Sequence, residues 1–458
     1  MDERLCHRLE QLLGATALPR EAALYQACAR DESNLGSYPP DAVVVPADAR
    51  ELALLLEFAG AEGVPVTPRG AGTGKSGGAL AVRGGIVVST ARMNRLLEID
   101  EADLVAVVEP GLITGALCEA VQERGLFYPP DPASLLSCSL GGNVAENAGG
   151  PRAFKYGVTR HYTLALEVAL IGGQRLSLGR RSTKSVTGYD LVGLMVGSEG
   201  TLGVISKITL RLIPLPMQQQ LFVAMFDDAV AAGTAVTRLV TAGVRPSAME
   251  LLDAQIVEHL RQSGRWSARG QVGAILMVEL DGPEEGAVER LERAAGLTES
   301  AGASEVVVAT DAGRCRALWE MRRQVSVMLR DACPHKLSED IAVPCGALPE
   351  MLRRLDRIAV DHQLEVAAYG HAGDGNLHVN ILSPEPLEPA SRDAVLLAIF
   401  RAAISLGGTL SGEHGIGLAK RDFLPLEQEA GQIAVQRQLK RVFDPQELLN
   451  PGKIFPDA

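Results

Sequence analysis

Three stretches of glycine and other small residues lie in one half of this chain. They constrain its fold more than any other feature. The first is Pro68-Arg69-Gly70-Ala71-Gly72-Thr73-Gly74-Lys75-Ser76-Gly77-Gly78, which follows the apolar run at 64–67. The second is Ser139-Leu140-Gly141-Gly142-Asn143-Val144-Ala145-Glu146-Asn147-Ala148-Gly149-Gly150, with Tyr156-Gly157 shortly after it. The third, Gly197-Ser198-Glu199-Gly200-Thr201-Leu202-Gly203, runs into the strand-like Val204-Ile205. Without Cβ atoms in the way, successive backbone N–H groups can wrap an anion. Three such loops in one domain imply a long, flat, phosphate-bearing ligand gripped by backbone.

Two familiar motifs nearly fit the first loop, and both fail. Gly72-x-Gly74-x-x-Gly77 spells a dinucleotide fingerprint, but that fingerprint must open a helix. Here 79–82, Gly84-Gly85 and a strand follow instead. Gly70-x-x-x-Gly74-Lys75-Ser76 is one residue short of a phosphate-binding P-loop.

With 458 residues, the chain exceeds what one hydrophobic core usually serves, so several subdomains are expected. Hydrophobic residues at 47% and charged residues at 22% exclude a disordered chain. The net charge of −12 argues against a general nucleic-acid binder. The charged start has no secretory apolar core. No run reaches the roughly 18 apolar residues of a spanning helix. The seven cysteines are scattered and contain no C-x-x-C pair, so buried reduced thiols in a cytosolic protein are expected, with no iron–sulfur cluster of the chain's own.

Periodicity predicts helices within 1–35 and at 49–62 and 114–124. It predicts strands at 42–45, 64–67, 85–89, 104–108, 164–171 and 202–213, with a long loop over 129–150. Pro214-Leu215-Pro216 reads as a domain boundary. Beyond it, strands are expected at 221–226, 274–280 and 306–309, and a strand–glycine loop–strand unit over 365–382. Helices are expected at 229–242, 284–301, 317–330, 348–362, 390–406 and 427–442. This alternation predicts an α+β sheet covered by helices.

As an ordered set, TPRGAGTGKSGG, PPDPAS, SLGGNVAENAGG, KYGVT and GSEGTLGVI resemble the flavin-binding half of the FAD-linked oxidase superfamily, the p-cresol methylhydroxylase or vanillyl-alcohol oxidase fold. The resemblance implies FAD contacts from Pro68, Arg69, Gly70, Ala71, Gly72, Thr73 and Gly74 in the first loop. It implies further contacts from Pro132, Ser139, Gly142, Asn143, Ala145, Gly149, Tyr156 and Gly157, and from Glu199, Gly200, Gly203, Ile205 and Asn450. Arg69 to Thr73 and Ser139 to Asn143 would hold the pyrophosphate, and Ile205 would lie near the adenine. The first loop has no histidine, and the spacing of Cys138 does not suit a covalent link, so the FAD is expected to be non-covalent.

The strongest chemical pattern is Gly370-His371-Ala372-Gly373-Asp374-Gly375-Asn376-Leu377-His378-Val379-Asn380, followed by Ser411-Gly412-Glu413-His414-Gly415. A glycine turn between His371 and His378 can fold two imidazoles toward one point, and Glu413 adds a carboxylate. Two histidines and a carboxylate with positions left open form a catalytic divalent-metal pattern. His414, beside Glu413, can act as a base. The competing reading is a polar loop cluster without metal.

These segments resemble the FAD-linked 2-hydroxyacid dehydrogenases: glycolate oxidase D-type subunits, D-lactate dehydrogenases and D-2-hydroxyglutarate dehydrogenases. By this resemblance, His371, His378 and Glu413 bind one divalent metal (zinc, manganese or iron), Asn380 contacts substrate and His414 is the base. Arg322, in Trp319-Glu320-Met321-Arg322, binds the substrate carboxylate. Lys336 is a second cation, and Ser326 stands where a hydroxyl contacts substrate. The implied fold is a two-subdomain FAD-binding fold of the p-cresol methylhydroxylase type plus an α+β cap. Its segments are 1–37 (helical), 38–215 (FAD), 216–420 (cap with metal site) and 421–458, which packs back on the FAD domain.

The expected reaction oxidises a D-2-hydroxy acid, D-lactate or glycolate being favoured. Electrons leave to a quinone, a cytochrome, an electron-transfer flavoprotein or an iron–sulfur subunit. The alternatives are D-2-hydroxyglutarate as substrate, or a flavin-bound subunit of a larger glycolate oxidase with little activity alone. A cytoplasmic location is expected, and both peripheral contact with the inner face of the membrane and a homodimer are compatible with the resemblance.

Overall fold

Short apolar runs separated by an amphipathic helix build the start of the chain. In the computed structural model, which describes residues 3–266, 272–309 and 311–457, Ala42–Val44, Ile86–Ser89 and Val66–Arg69 form a parallel three-stranded sheet, in that order. Parallel strands covered on both faces read as continuous apolar runs, as Val43-Val44 and Ile86-Val87-Val88 do. The helix Ala49–Glu62 connects Ala42–Val44 to Val66–Arg69. Asp48 starts it by accepting the backbone N–H groups of Arg50 and Glu51, and Gly63 ends it in the left-handed region. Its Leu52, Leu55, Leu56 and Ala59 are packed with Leu9, Val66, Val88 and Leu449 in one core.

A five-stranded antiparallel sheet follows, in the order Leu96–Asp100, Val105–Val108, Val204–Arg211, Thr163–Ala169, Arg175–Gly179. The stretch expected as loop over 129–150 contains a helix, Leu140–Glu146. Two glycines in its first turn hide it, because glycine is a poor helix former. Ser139 nevertheless caps it, accepting from the Gly142 N–H at 3.3 Å, and Leu140 and Val144 are buried one turn apart.

The chain divides into two units. The first comprises the chain up to Gly149, Val158–Leu215 and everything from Glu413 onward; the second comprises Gly150–Gly157 and Pro216–Gly412. The later division therefore lies at 412/413 rather than at 420/421. The cause is local: within the first unit the Glu199 carboxylate accepts the backbone N–H groups of Ile416 (2.8 Å) and Gly417 (2.6 Å). The segment 150–157 joins the second unit because the Lys155 ammonium pairs with Asp281 and the Tyr156 hydroxyl donates to Asp281 at 2.6 Å.

The second unit is built on a seven-stranded, wholly antiparallel sheet. Its order is Glu305–Ala309, Gln218–Phe226, Ala274–Gly282, Ala248–Leu252, Glu365–His371, Asn376–Leu382, Leu337–Ala342. The central strand Ala248–Leu252 and the helix Ala254–Gln262 were not legible in the apolar periodicity, because Glu250 interrupts the run. The helix expected at 317–330 is two, Ala312–Arg323 and Val325–Ala332, meeting at Gln324. These two helices pack on one face of the sheet through Met321, Val325, Met328 and Leu329.

Asp253 caps Ala254–Gln262, accepting from Ile256 N–H, and also accepts from Ala368 N–H at 2.5 Å. Full burial pushes its pKa up to about 7, against the pull of those N–H donors. A carboxyl whose folded pKa lies above its unfolded value binds protons more tightly when folded. Its stabilisation is complete below about pH 4 and is lost as pH rises through about 7. Asp253→Asn should therefore gain stability relative to the unaltered protein as pH rises from 4 to 8, measured as the difference in Tm; a difference independent of pH would contradict this.

Candidate active site

In the first unit the three small-residue loops meet. The first leaves the strand Val66–Arg69. A Cβ on Gly70 would stand 2.4 Å from the Ser139 Oγ and 3.5 Å from the Gly142 backbone, so only glycine lets these two loops touch. The third loop is tied to the second by Gly197 N–H to Val144 C=O (2.9 Å) and Glu199 N–H to Ala145 C=O (2.8 Å). Gly200 lies against the Pro68 ring. Among the described residues, the backbone N–H groups of 70–74 make no hydrogen bond within the protein. The cradle therefore offers a run of free donors beside a helix start, which fits a pyrophosphate.

The structure distributes the expected FAD residues unevenly. Pro68, Arg69, Gly70, Ala71, Gly72, Thr73, Gly74, Ser139, Gly142, Ala145, Glu199 and Gly200 belong to these converging loops. Gly203 leads into the strand that carries Ile205, and Pro132 lies in the turn closed by Leu135 N–H. Tyr156 and Gly157 belong to the second unit. Several of these side chains are committed to protein groups, among them Asn143, Glu199 and Asn450. Asn143 donates to Thr114 Oγ1 at 2.7 Å, Glu199 holds the Ile416 and Gly417 amides, and Asn450 donates to Gly78 C=O and Glu199 C=O at 2.9 and 2.8 Å. These three shape the cradle as struts, a role that loop motifs do not reveal.

In the second unit, strand pairing sets a row of polar side chains on the sheet face that Ala312–Arg323 and Val325–Ala332 cover. Opposed residues in an antiparallel pair share a face. Ser338 pairs with Asn380, Asp340 with His378, Tyr369 with His378, and Glu250 with His371. The turn between the two histidine strands needs Gly375, whose φ is +77° and whose Cβ would stand 1.9 Å from Val343 C=O. The His371 and His378 rings lie edge to face with centroids 5.2 Å apart, and their ligand nitrogens lie within 4.8 Å of one another. Both are buried.

Glu250, invisible to motif reading, stands at one end of this row and ties it to Arg322. It is completely buried. His371 Nδ1 donates to its Oε1 at 2.6 Å, and Arg322 Nε donates to its Oε2 at 2.5 Å. Burial pushes the Glu250 pKa up, but the Arg322 cation and His371 outweigh it and hold the carboxyl below its ordinary range. The Arg322 guanidinium also stacks 4.6 Å from the Tyr369 ring centroid. Lys336 Nζ reaches Ser326 Oγ and C=O, both at 3.3 Å. Asn380, expected to contact substrate, is fully buried. Its amide donates to Ala367 C=O (3.2 Å) and His378 C=O (3.1 Å) and accepts from Ser338 Oγ (3.0 Å), so it braces the histidine strand.

Glu413 and His414 follow Gly412, the last residue of the second unit, directly in the chain. Within the first unit a Cβ on Gly149 would stand 3.0 Å from a Glu413 carboxylate oxygen, which gives that glycine a spatial reason. Glu199 fixes the backbone two and three residues after His414.

Known proteins match along the whole length. Residues 215–454 match the family model "FAD linked oxidases, C-terminal domain", and residues 40–179 match "FAD binding domain". The chain is 37% identical to glycolate oxidase subunit GlcD of Bacillus subtilis, over 91% of this chain and 89% of that one. It is 33% identical to D-lactate dehydrogenase of Anaerostipes hadrus, over 92% and 90%. It is 34% identical to D-2-hydroxyglutarate dehydrogenase of Xanthomonas citri pv. viticola, over 98% and 96%. In fold it is similar to p-cresol methylhydroxylase, with a TM-score of 0.83 at 16% identity, covering 99% and 96%.

The contact between Gly70 and Ser139 generates a test of the cradle. Gly70→Ala should lower flavin content, read as the ratio of absorbance at 450 and 280 nm, to less than about half. Ser139→Gly added to it should recover most of the loss, since glycine replaces a serine cap at a cost of a few tenths of a kcal/mol. Full flavin content in Gly70→Ala would refute the close approach.

Proposed function

The chain belongs to the FAD-linked oxidases, and from that premise we propose that it oxidises a small D-2-hydroxy acid, D-lactate or glycolate, to the 2-oxo acid, with FAD held without a covalent bond. The single observation that carries this reading is the buried row on the sheet of the second unit, where two imidazoles, a guanidinium and a carboxylate lie on one face. The names of the relatives support the substrate class.

The chemistry a bound flavin supplies is acceptance of two electrons, and that of a bound divalent cation is positive charge that lowers a hydroxyl pKa. His371 and His378 fit such a cation, and the geometry of His371 favours it. A carboxylate can only accept, so Nδ1 carries the proton and Nε2 keeps its lone pair for a ligand role. Glu413 is the third ligand in this reading; zinc, manganese and iron all suit the set. Arg322 holds the substrate carboxylate with the guanidinium edge that Glu250 leaves free. Lys336 adds a second cation, and His414 takes the hydroxyl proton.

The seven cysteines are scattered with no C-x-x-C pair, so in this reading an external acceptor receives the electrons: a quinone, a cytochrome, an electron-transfer flavoprotein or an iron–sulfur subunit. Among the described residues no helix is long and apolar enough to cross a membrane. A second reading, D-2-hydroxyglutarate, is favoured by Lys336, since a diacid has a second carboxylate for a second cation.

Anaerobic mixing with a panel of D- and L-2-hydroxy acids is the direct test. D-lactate or glycolate should bleach the 450 nm band, and D-2-hydroxyglutarate as the sole bleaching acid would establish the second reading instead. Bleaching by no acid would overturn both. His414→Ala should lower the rate of bleaching at saturating substrate by roughly 10²–10⁴-fold, with flavin content unchanged. Arg322→Lys keeps the charge and loses the fork, so it should raise KM about tenfold or more with a smaller effect on kcat. A full bleaching rate in His414→Ala would remove that residue from the chemistry.

A further inference from the structure

Most buried carboxylates in this chain answer backbone N–H groups or one cation. Glu250 is different, because its two oxygens serve two residues that the proposed chemistry uses. Its side chain has no solvent exposure, and Arg322 and His371 are nearly as deep. The Oε1 atom takes His371 Nδ1, and the Oε2 atom takes Arg322 through Nε and Nη2, both at 2.5 Å. Among the described residues Arg322 has no other anion, and its remaining face is set by the Tyr369 ring. Backbone register makes this possible: Glu250 stands directly opposite His371 in the antiparallel pair, and Tyr369 stands opposite Leu252 on the same face.

We propose that Glu250 is the positioning residue of the active site, one carboxylate that sets both the metal-ligating tautomer of His371 and the orientation of Arg322. The proposal rests on the functional reading above. A His371 ring without an Nδ1 acceptor has two tautomers and is free to turn about its χ2 bond, so a cation that needs Nε2 is held less tightly. An Arg322 without its anion keeps a buried charge and loses the hydrogen bonds that point its free edge. One substitution at Glu250 therefore weakens cation binding and substrate binding together, without touching either ligand.

Glu250→Gln tests this. In metal-stripped protein, titration calorimetry with zinc should show affinity lowered about 10–100-fold, the range for loss of an outer hydrogen-bond partner of a ligating histidine. At saturating zinc, KM for the bleaching hydroxy acid should rise about tenfold, and kcat should change less. Flavin absorbance should stay at the level of the unaltered protein. Should Glu250→Gln fail to fold, the double variant Glu250→Leu with Arg322→Met removes both buried charges at similar volume, and its zinc affinity must fall by the same factor. Zinc bound as tightly as in the unaltered protein, in either folded variant, would overturn the role of Glu250. An unaltered protein that neither binds zinc nor bleaches with any hydroxy acid would instead overturn the functional reading beneath it.

Discussion

A carboxylate with no access to water must be neutralised or answered by charge, and the answer to Glu250 organises the second unit. Arg322 comes from a helix, His371 from the neighbouring strand, and Glu250 from the strand at the middle of the sheet. A buried ion set of this kind is weak as a source of stability, because desolvation cancels most of the attraction. Its value lies in geometry. It holds three side chains in one arrangement on the polar row, beside the core residues Met277, Leu252 and Tyr369.

The first unit solves a different problem with the same physics. Glu199 is buried and holds the amides of Ile416 and Gly417, and burial raises its pKa against those N–H groups and the charges of Lys453 and Lys420. Lys453 in turn donates to Leu80 C=O at 2.6 Å, and burial lowers its pKa to about 8. These contacts fix the backbone just after Glu413 and His414. The cofactor cradle is made of backbone, whereas the polar row of the second unit is made of side chains.

Much of this was legible from local pattern. The helices Ala49–Glu62 and Leu348–His362 stand where periodicity put them, because each carries a full apolar stripe with its own end signals. The histidine hairpin was legible because two imidazoles flank a glycine turn. What escaped has a common cause. Leu140–Glu146 is helical despite two glycines, since burial of Leu140 and Val144 outweighs propensity. Ala248–Leu252 is a central strand despite a charge in its middle, since that charge is answered by groups 72 and 121 residues away. Asn380 shares a face with His378 as its spacing implied, but its amide is spent on Ala367, His378 and Ser338.

The sequence by itself therefore determined the class of ligand, the backbone loops that meet it, and the identities of the histidines, because these depend on residue type and short spacing. Tertiary structure alone decided which carboxylate meets His371, which edge of Arg322 is free, and which polar residues are struts. Those choices arise from strand register and burial, and both are set by contacts between residues far apart in the chain.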